Sequence, residues 1–221
     1  MDKLIAGVAE FQKSGYVENR KLFKALASGQ EPEVLLITCS DSRIDPNLIT
    51  QTQPGDLFIC RNAGNIVPPH STATGGMTAS IEYAVSVLGV SHIVVCGHSD
   101  CGAMKGAMYP ESVKSLPHVS NWLSNCAAAL ARVKARHEHP GQEQIAEMTE
   151  ENVLLQLKHL ETHPCVAAKM ATGEIQLHGW IYDIAQGTVS CYAEDSRKFI
   201  PIEDRYSGII HKPRPQRESS A

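Results

Sequence analysis

Three short runs of the chain are dominated by apolar and β-branched residues: EVLLITC at 33–39, DLFIC at 56–60 and SHIVVCG at 91–97. Runs of that length read as strands buried on both faces. The second is introduced by the turn signal Pro54-Gly55. Between the second and third, MTASIEYAVSVLG at 77–89 carries its apolar residues at helical spacing and stops at Gly89. Residues 117–135 and 142–160 repeat the helical pattern on either side of the breaker HEHPGQ. Further on, EIQLHGWIYDIAQGTVSCYAED reads as two strands joined around Gln186-Gly187.

At the start, Leu4, Ile5, Val8, Phe11, Leu22, Phe23 and Leu26 fall at mostly helical spacing, interrupted near Gly15. They predict one or two amphipathic helices within 3–28. From Ser207 the chain is polar, with two prolines and several bases, and is expected to be loosely held. Strands alternating with helices define an α/β protein with a largely parallel sheet covered on both faces. Functional groups of such sheets gather beyond the carboxyl ends of the strands. Cys39 ends the first strand, and His98 and Cys101 lie just beyond the third, in HSDCGAMKGAM, a loop turning into a helix.

Composition narrows the function. A chain of 221 residues, 43% hydrophobic and with a formal net charge of −4, holds one substantial core. Near-balanced charge argues against nucleic acid or an anionic membrane surface as the main partner. The opening residues mix acids and lysines among the apolar ones, and no window approaches the ~18 apolar residues of a membrane span. A cytoplasmic location is expected. Seven cysteines do not resemble a disulfide framework; in a reducing compartment, clustered ones point to metal or catalysis.

His98 and Cys101, three positions apart, can face one ion, although an H-x-x-C pair alone is a weak signal. Cys39 offers a third soft donor, and two thiolates with one imidazole suit zinc while leaving a fourth position for water. Cys60 and Cys96 are competing donors by chemistry, but both sit inside apolar strands, where burial explains them. In LLITCSDSRID, Cys39, Asp41 and Arg43 occupy alternate positions and face the same way if the backbone stays extended. Asp41 then has two options beside a metal: to bind it directly, or to pair with Arg43 and orient a zinc-bound hydroxide.

The segments CSDSR, PGDLFICRNAGN, ASIEYAVSVLGV and VVCGHSDCGAMKG together resemble the β-class carbonic anhydrases. The resemblance covers about residues 1–200, is most specific across 34–106, and extends to the late LHGWIYDI. It implies a mixed sheet with a parallel core flanked by helices, and N-terminal helices (an arm over 1–30) that extend onto a partner subunit. The 207–221 tail is expected to belong to the same single domain, and the resemblance further implies a homodimer or homotetramer with active sites at subunit interfaces. The activity it implies is reversible hydration of carbon dioxide to bicarbonate and a proton by zinc-bound hydroxide. Carried over by position, Cys39, His98 and Cys101 bind one zinc per subunit, and Asp41 and Arg43 form the orienting dyad. Gln30, Phe58, Tyr83 and Gly102 match substrate-pocket positions, Tyr83 with one residue of alignment slack. His70, His92 and Tyr83 are the candidates for a proton shuttle.

One subgroup carries a Trp three residues before the first Cys and a Gly directly before it, which help form a second, inhibitory bicarbonate site. Leu36 and Thr38 stand there in this chain, which favours the plant-like, open type. The closed alternative places Asp41 on the metal as a fourth ligand. Hydrolysis of carbonyl sulfide or carbon disulfide and a non-catalytic zinc-binding role are the competing functions; the second would predict a missing dyad. TATGGMT is Gly-rich before a helix but lacks the P-loop and dinucleotide patterns, so a nucleotide site is not expected.

Overall fold

The computed structural model describes residues 1–72 and 75–210. Its centre is a six-stranded sheet in the order β2-β1-β3-β4-β5-β6. β1 (Val34–Cys39), β2 (Leu57–Asn62), β3 (His92–His98) and β4 (Gln176–Asp183) run parallel. β5 (Thr188–Ala193) and β6 (Lys198–Pro201) complete it antiparallel. The three apolar runs of the sequence form β1, β2 and β3, and Gly187 at φ +68° closes the β4–β5 hairpin. β6 follows in LysPheIlePro, a run too short to stand out as a strand by pattern.

The helices fall between the strands. α1 (Asp2–Glu10) passes through a π-helical turn (Phe11–Gly15) and a single turn (Tyr16–Glu18) into α2 (Arg20–Leu26). α3 (Pro46–Thr50), α4 (Gly76–Glu82), α5 (Gly102–Met108), α6 (Pro117–Leu123) and α7 (Ala127–Arg136) come next. α8 (Ile145–Glu161), α9 (Pro164–Ala171), α10 (Ile202–Arg205) and α11 (Ser207–Ile210) follow. α3 went unread because it is only one turn long. Its signals are local: the Asp45 carboxylate accepts from the Leu48 amide at 3.2 Å, and Pro46 occupies the first turn. The helical pattern at 77–89 ends as expected on Gly89, in the left-handed region at φ +70°.

Alternation along β1 and β3 divides the core. Leu35, Ile37, Ile93 and Val95 face the helices and pack with Val153 and Leu160 of α8, Val166 of α9 and Ile81 of α4. Leu36, Val94 and Cys96 face the other way, against Trp180 and Leu57. α8 comes very close to the sheet. A Cβ at Gly97 would stand 2.9 Å from a Val153 methyl, and one at Gly179 3.0 Å from the other. Bare backbone on the two neighbouring strands is what admits this helix.

The N-terminal arm is different. α1 buries none of its residues, and Leu4, Ile5 and Val8 are each more than half exposed. No break occurs at Gly15; the π-helical turn carries the helix through instead. Phe11, Tyr16 and Phe23 pack on one another, with ring centroids 5.6 to 6.3 Å apart. Of the predicted polar tail, 207–210 form the last helical turn, and 211–221 lie outside the described residues. So do Ala73 and Thr74 of the Gly-rich loop. No helix among the described residues is long and apolar enough to cross a membrane.

At the amino end of the sheet, His92 Nδ1 and His178 Nε2 are 3.1 Å apart, and the Tyr206 hydroxyl is 3.3 Å from His178 Nδ1. Burial, reinforced by the charges of His92 and Arg205, pulls His178 down to about 4. Below the ordinary histidine value of ~6.5 the unfolded chain takes up a proton that folded His178 refuses. Stability is therefore expected to fall as pH drops from ~6.5 through about 4. His159 and His163 are lowered by burial as well and add to the slope. Melting temperatures between pH 7 and pH 4.5 check this, with His178→Phe expected to flatten part of the decline.

Candidate metal centre

The carboxyl ends of β1 and β3 set two clusters side by side. Cys39 is the last residue of β1 and His98 the last of β3; three residues later, Cys101 leads into α5. Asp100 makes the turn between them, with φ +58°. The two sulfurs and an imidazole nitrogen all lie within 4.8 Å of one another, and all three residues are buried. His98 Nδ1 donates to the Ser99 carbonyl at 2.9 Å. Since a carbonyl can only accept, that bond fixes the tautomer and leaves Nε2 with a free lone pair. Nε2 is buried and has no hydrogen-bond partner among the described residues. A buried acceptor left bare is costly, and an electrophile at that point removes the cost.

The thiols agree with this. The Cys39 thiol is pulled down, first by the Cys101 thiol that donates to it and then, against the opposing effect of burial, by the Gly64 and Asp41 amides. The Gly64 amide donates to Cys39 Sγ at 3.3 Å. The same pairing, with burial, pushes Cys101 up. A divalent cation bound between these two sulfurs would take them both as thiolates, displacing their protons. An N/S₂ donor set of this kind fits zinc and leaves one of four tetrahedral positions open.

Beside the donors, Arg43 grips Asp41 with two parallel bonds, Nε to Oδ1 at 2.9 Å and Nη2 to Oδ2 at 2.8 Å. The Arg43 amide adds a third at 3.0 Å. This guanidinium holds the Asp41 carboxyl well below the usual carboxylate range, and Asp41 raises Arg43 in return. Asp41 Oδ2 lies 3.9 Å from His98 Nε2, so the carboxylate borders the donor triangle. Three further residues hold the pair. Asp100 accepts from Arg43 Nη1 at 3.2 Å and is itself paired with Lys105. Arg61 donates to the Cys39 carbonyl at 3.0 Å and to the Asp41 carbonyl at 2.8 Å. None of these three stands out in the sequence, although Asp100 sits inside HSDC and Arg61 directly follows the DLFIC run.

The remaining predicted residues separate into two places. Gly102 opens α5 next to Cys101, exposed and with nothing within 4 Å of a Cβ built there. Phe58 and Tyr83 meet each other, ring centroids 6.0 Å apart, but not the donors. Sheet register pairs Phe58 with Leu35, whereas Cys39 pairs with Asn62 further along. Gln30 precedes the amino end of β1 and is exposed. Within one chain, then, Gln30, Phe58 and Tyr83 stand apart from Cys39. Of the shuttle candidates, His92 begins β3 at the end opposite His98, and the His70 ring meets His163 at 5.7 Å. Cys60 and Cys96 are buried strand residues, and burial pushes Cys96 up to about 12.

A parallel-cored α/β sheet with a buried Cys-His-Cys triangle and an Asp-Arg pair at its carboxyl edge defines a protein with a candidate metal centre. The family model for carbonic anhydrase matches residues 34–189. The carbonic anhydrase of Pseudomonas aeruginosa is 46% identical over 205 residues, 92% of this chain and 93% of that one. Among solved structures, the β-carbonic anhydrase CcaA superimposes with a TM-score of 0.88 at 44% identity, covering 91% of this chain and 98% of that one. A structure from a study of two tetrameric β-carbonic anhydrases of Sordaria macrospora gives 0.73 at 32% identity, over 86% and 95%. The chain belongs to the β-class carbonic anhydrases, enzymes of carbon dioxide hydration.

Proposed function

We propose that this enzyme hydrates carbon dioxide reversibly at one zinc ion per subunit held by Cys39, His98 and Cys101, with Asp41 and Arg43 orienting the nucleophile. The observation that carries the reading is the bare, buried Nε2 of His98 in one cluster with the Cys39 and Cys101 sulfurs, with the Asp41 carboxylate 3.9 Å away. Bound zinc supplies the Lewis acidity that makes water nucleophilic near neutral pH. Asp41, held as an anion by two bonds from Arg43, accepts the hydrogen bond of the attacking water, which turns a lone pair toward the substrate carbon. A carboxyl held this far below its usual range does not store the released proton. Asp41 is therefore an orienting acceptor, and the proton passes to solvent.

The Gly102 amide, with Gln30, serves the oxygens of bicarbonate. Gln30 and the Phe58–Tyr83 pair reach a metal centre only from a second subunit, because their own chain holds them at the other end of the sheet. The exposed apolar face of α1 supports the same assembly, a homodimer or homotetramer in which the arm packs on its neighbour. The open arrangement, with Asp41 on Arg43 and not on the metal, is the active one.

Stopped-flow hydration with a pH indicator, on protein of known zinc content, tests the proposal. Fast hydration that disappears on chelation and returns with added zinc is the expected result. A fully zinc-loaded protein that is inert at neutral and alkaline pH would overturn it.

A further inference from the structure

A buried helix normally presents hydrocarbon to its sheet, yet α8 carries Asn152 and Gln156, both fully buried, on one face with His159. These residues, and His163 just past the helix end, meet the loop that follows β2. Asn152 Nδ2 donates to the Gly64 carbonyl at 3.0 Å. Gln156 Oε1 accepts from the Val67 amide at 2.9 Å. His159 Nδ1 donates to the Val67 carbonyl at 2.7 Å, and His163 Nε2 to the Pro68 carbonyl at 3.0 Å.

The orientation of Asn152 is determined, because its Oδ1 takes two donors, Gln156 Nε2 at 2.8 Å and the Cys126 thiol at 3.2 Å. Only the NH₂ group is left for Gly64. Gly64 in turn lies close against α5. It sits at φ +83°, and a Cβ there would come 2.9 Å from the Ala103 Cβ and 3.0 Å from a Met104 methyl. On its other side the Gly64 amide makes the 3.3 Å bond to Cys39 Sγ. Asn152 thus holds one end of a single residue whose other end touches a sulfur of the metal centre.

We infer that Asn152 is a positioning residue of the metal centre, holding Gly64 so that its amide draws charge from the Cys39 thiolate and points that sulfur at the metal. The inference rests on the zinc reading above. An N–H bond to a ligand sulfur fixes its direction and tunes its donor strength, and losing such outer support typically costs roughly 10- to 100-fold in metal affinity. Cys126, buried and away from the donors, acts one step further out by fixing the side-chain amide.

The test compares Asn152→Asp with His163→Leu. While ionised, the aspartate keeps the size and both acceptor bonds of Asn152 but offers no donor to the Gly64 carbonyl. The comparison is therefore made at alkaline pH and repeated with Asn152→Ser, which cannot reach that carbonyl. His163→Leu removes a buried bond to the same loop at Pro68, away from Gly64. Zinc-loaded protein is challenged with excess chelator and zinc release is timed; the cobalt-substituted protein is then scanned for its thiolate-to-cobalt absorption bands. Asn152→Asp is expected to release zinc roughly 10- to 100-fold faster and to shift those bands. His163→Leu should lower the melting temperature without moving either readout. Should Asn152→Asp not accumulate as folded protein, Asn152→Ser carries the comparison alone. Wild-type release and bands in a folded Asn152 variant would overturn the inference, as would equal changes in His163→Leu. Wild-type protein that takes up neither zinc nor cobalt would instead remove the zinc reading itself.

Discussion

Cys101→Ser is expected to remove zinc and hydration together. Cys101 is fully buried at the entrance to α5 and clusters with Cys39 and His98. A serine hydroxyl is a harder, far less acidic donor and cannot supply the second thiolate of an N/S₂ set. Catalysis should fall to the uncatalysed background, a loss on the order of 10⁶-fold given the usual span of enzymatic acceleration. Elemental analysis of the purified variant gives the metal content, and stopped-flow hydration gives the rate. An active protein without zinc would show that Cys101 is not a ligand. Folding is not at issue in the same way, since Cys to Ser changes volume little and circular dichroism reports it directly.

Asp41→Asn should separate metal from chemistry. The side chain keeps its shape, but its NH₂ group turns one of the two bonds to Arg43 into an encounter between donors. Either the amide flips or Arg43 moves toward Asp100, to which it is already bonded. In both cases the acceptor for the attacking water is weakened or replaced by a donor. Removing one preorganised polar group of this kind costs about 10²- to 10³-fold in turnover. Zinc content should stay at the wild-type level, because Asp41 is not among the three donors. Unchanged turnover would show that the pair serves only structure, whereas lost zinc would place Asp41 on the metal.

The strands and the donors were legible in the sequence for the same reason. A central parallel strand must be apolar throughout, so β1 and β3 are visible as runs, and their carboxyl ends are visible as the first polar residues after them. Cys39, Asp41, His98 and Cys101 sit at those two points. What could not be read is what depends on long-range packing. The register that separates Phe58 from Cys39 exists only once β1 and β2 are paired. Asn152 and Gln156 look, in a helical pattern, like solvent-facing positions; the loop after β2, packed on that face of α8, is what covers them. A polar residue in a core has no period that distinguishes it from one at the surface. The arm shows the converse, an apolar stripe that suggests a buried helix and buries nothing in its own chain.

The position of α8 also orders events during synthesis. All three proposed metal donors have left the ribosome once Cys101 has, while α8 at 145–161 and β4 at 176–183 are still to be made. In that interval two thiols and an imidazole would have neither α8 nor β4 to cover them. Selection by coordination geometry needs the donors held in place, and raw affinity alone favours copper over zinc. Choosing the metal is therefore a task for the completed chain, and in the nascent one it falls to whatever controls free metal in the cell.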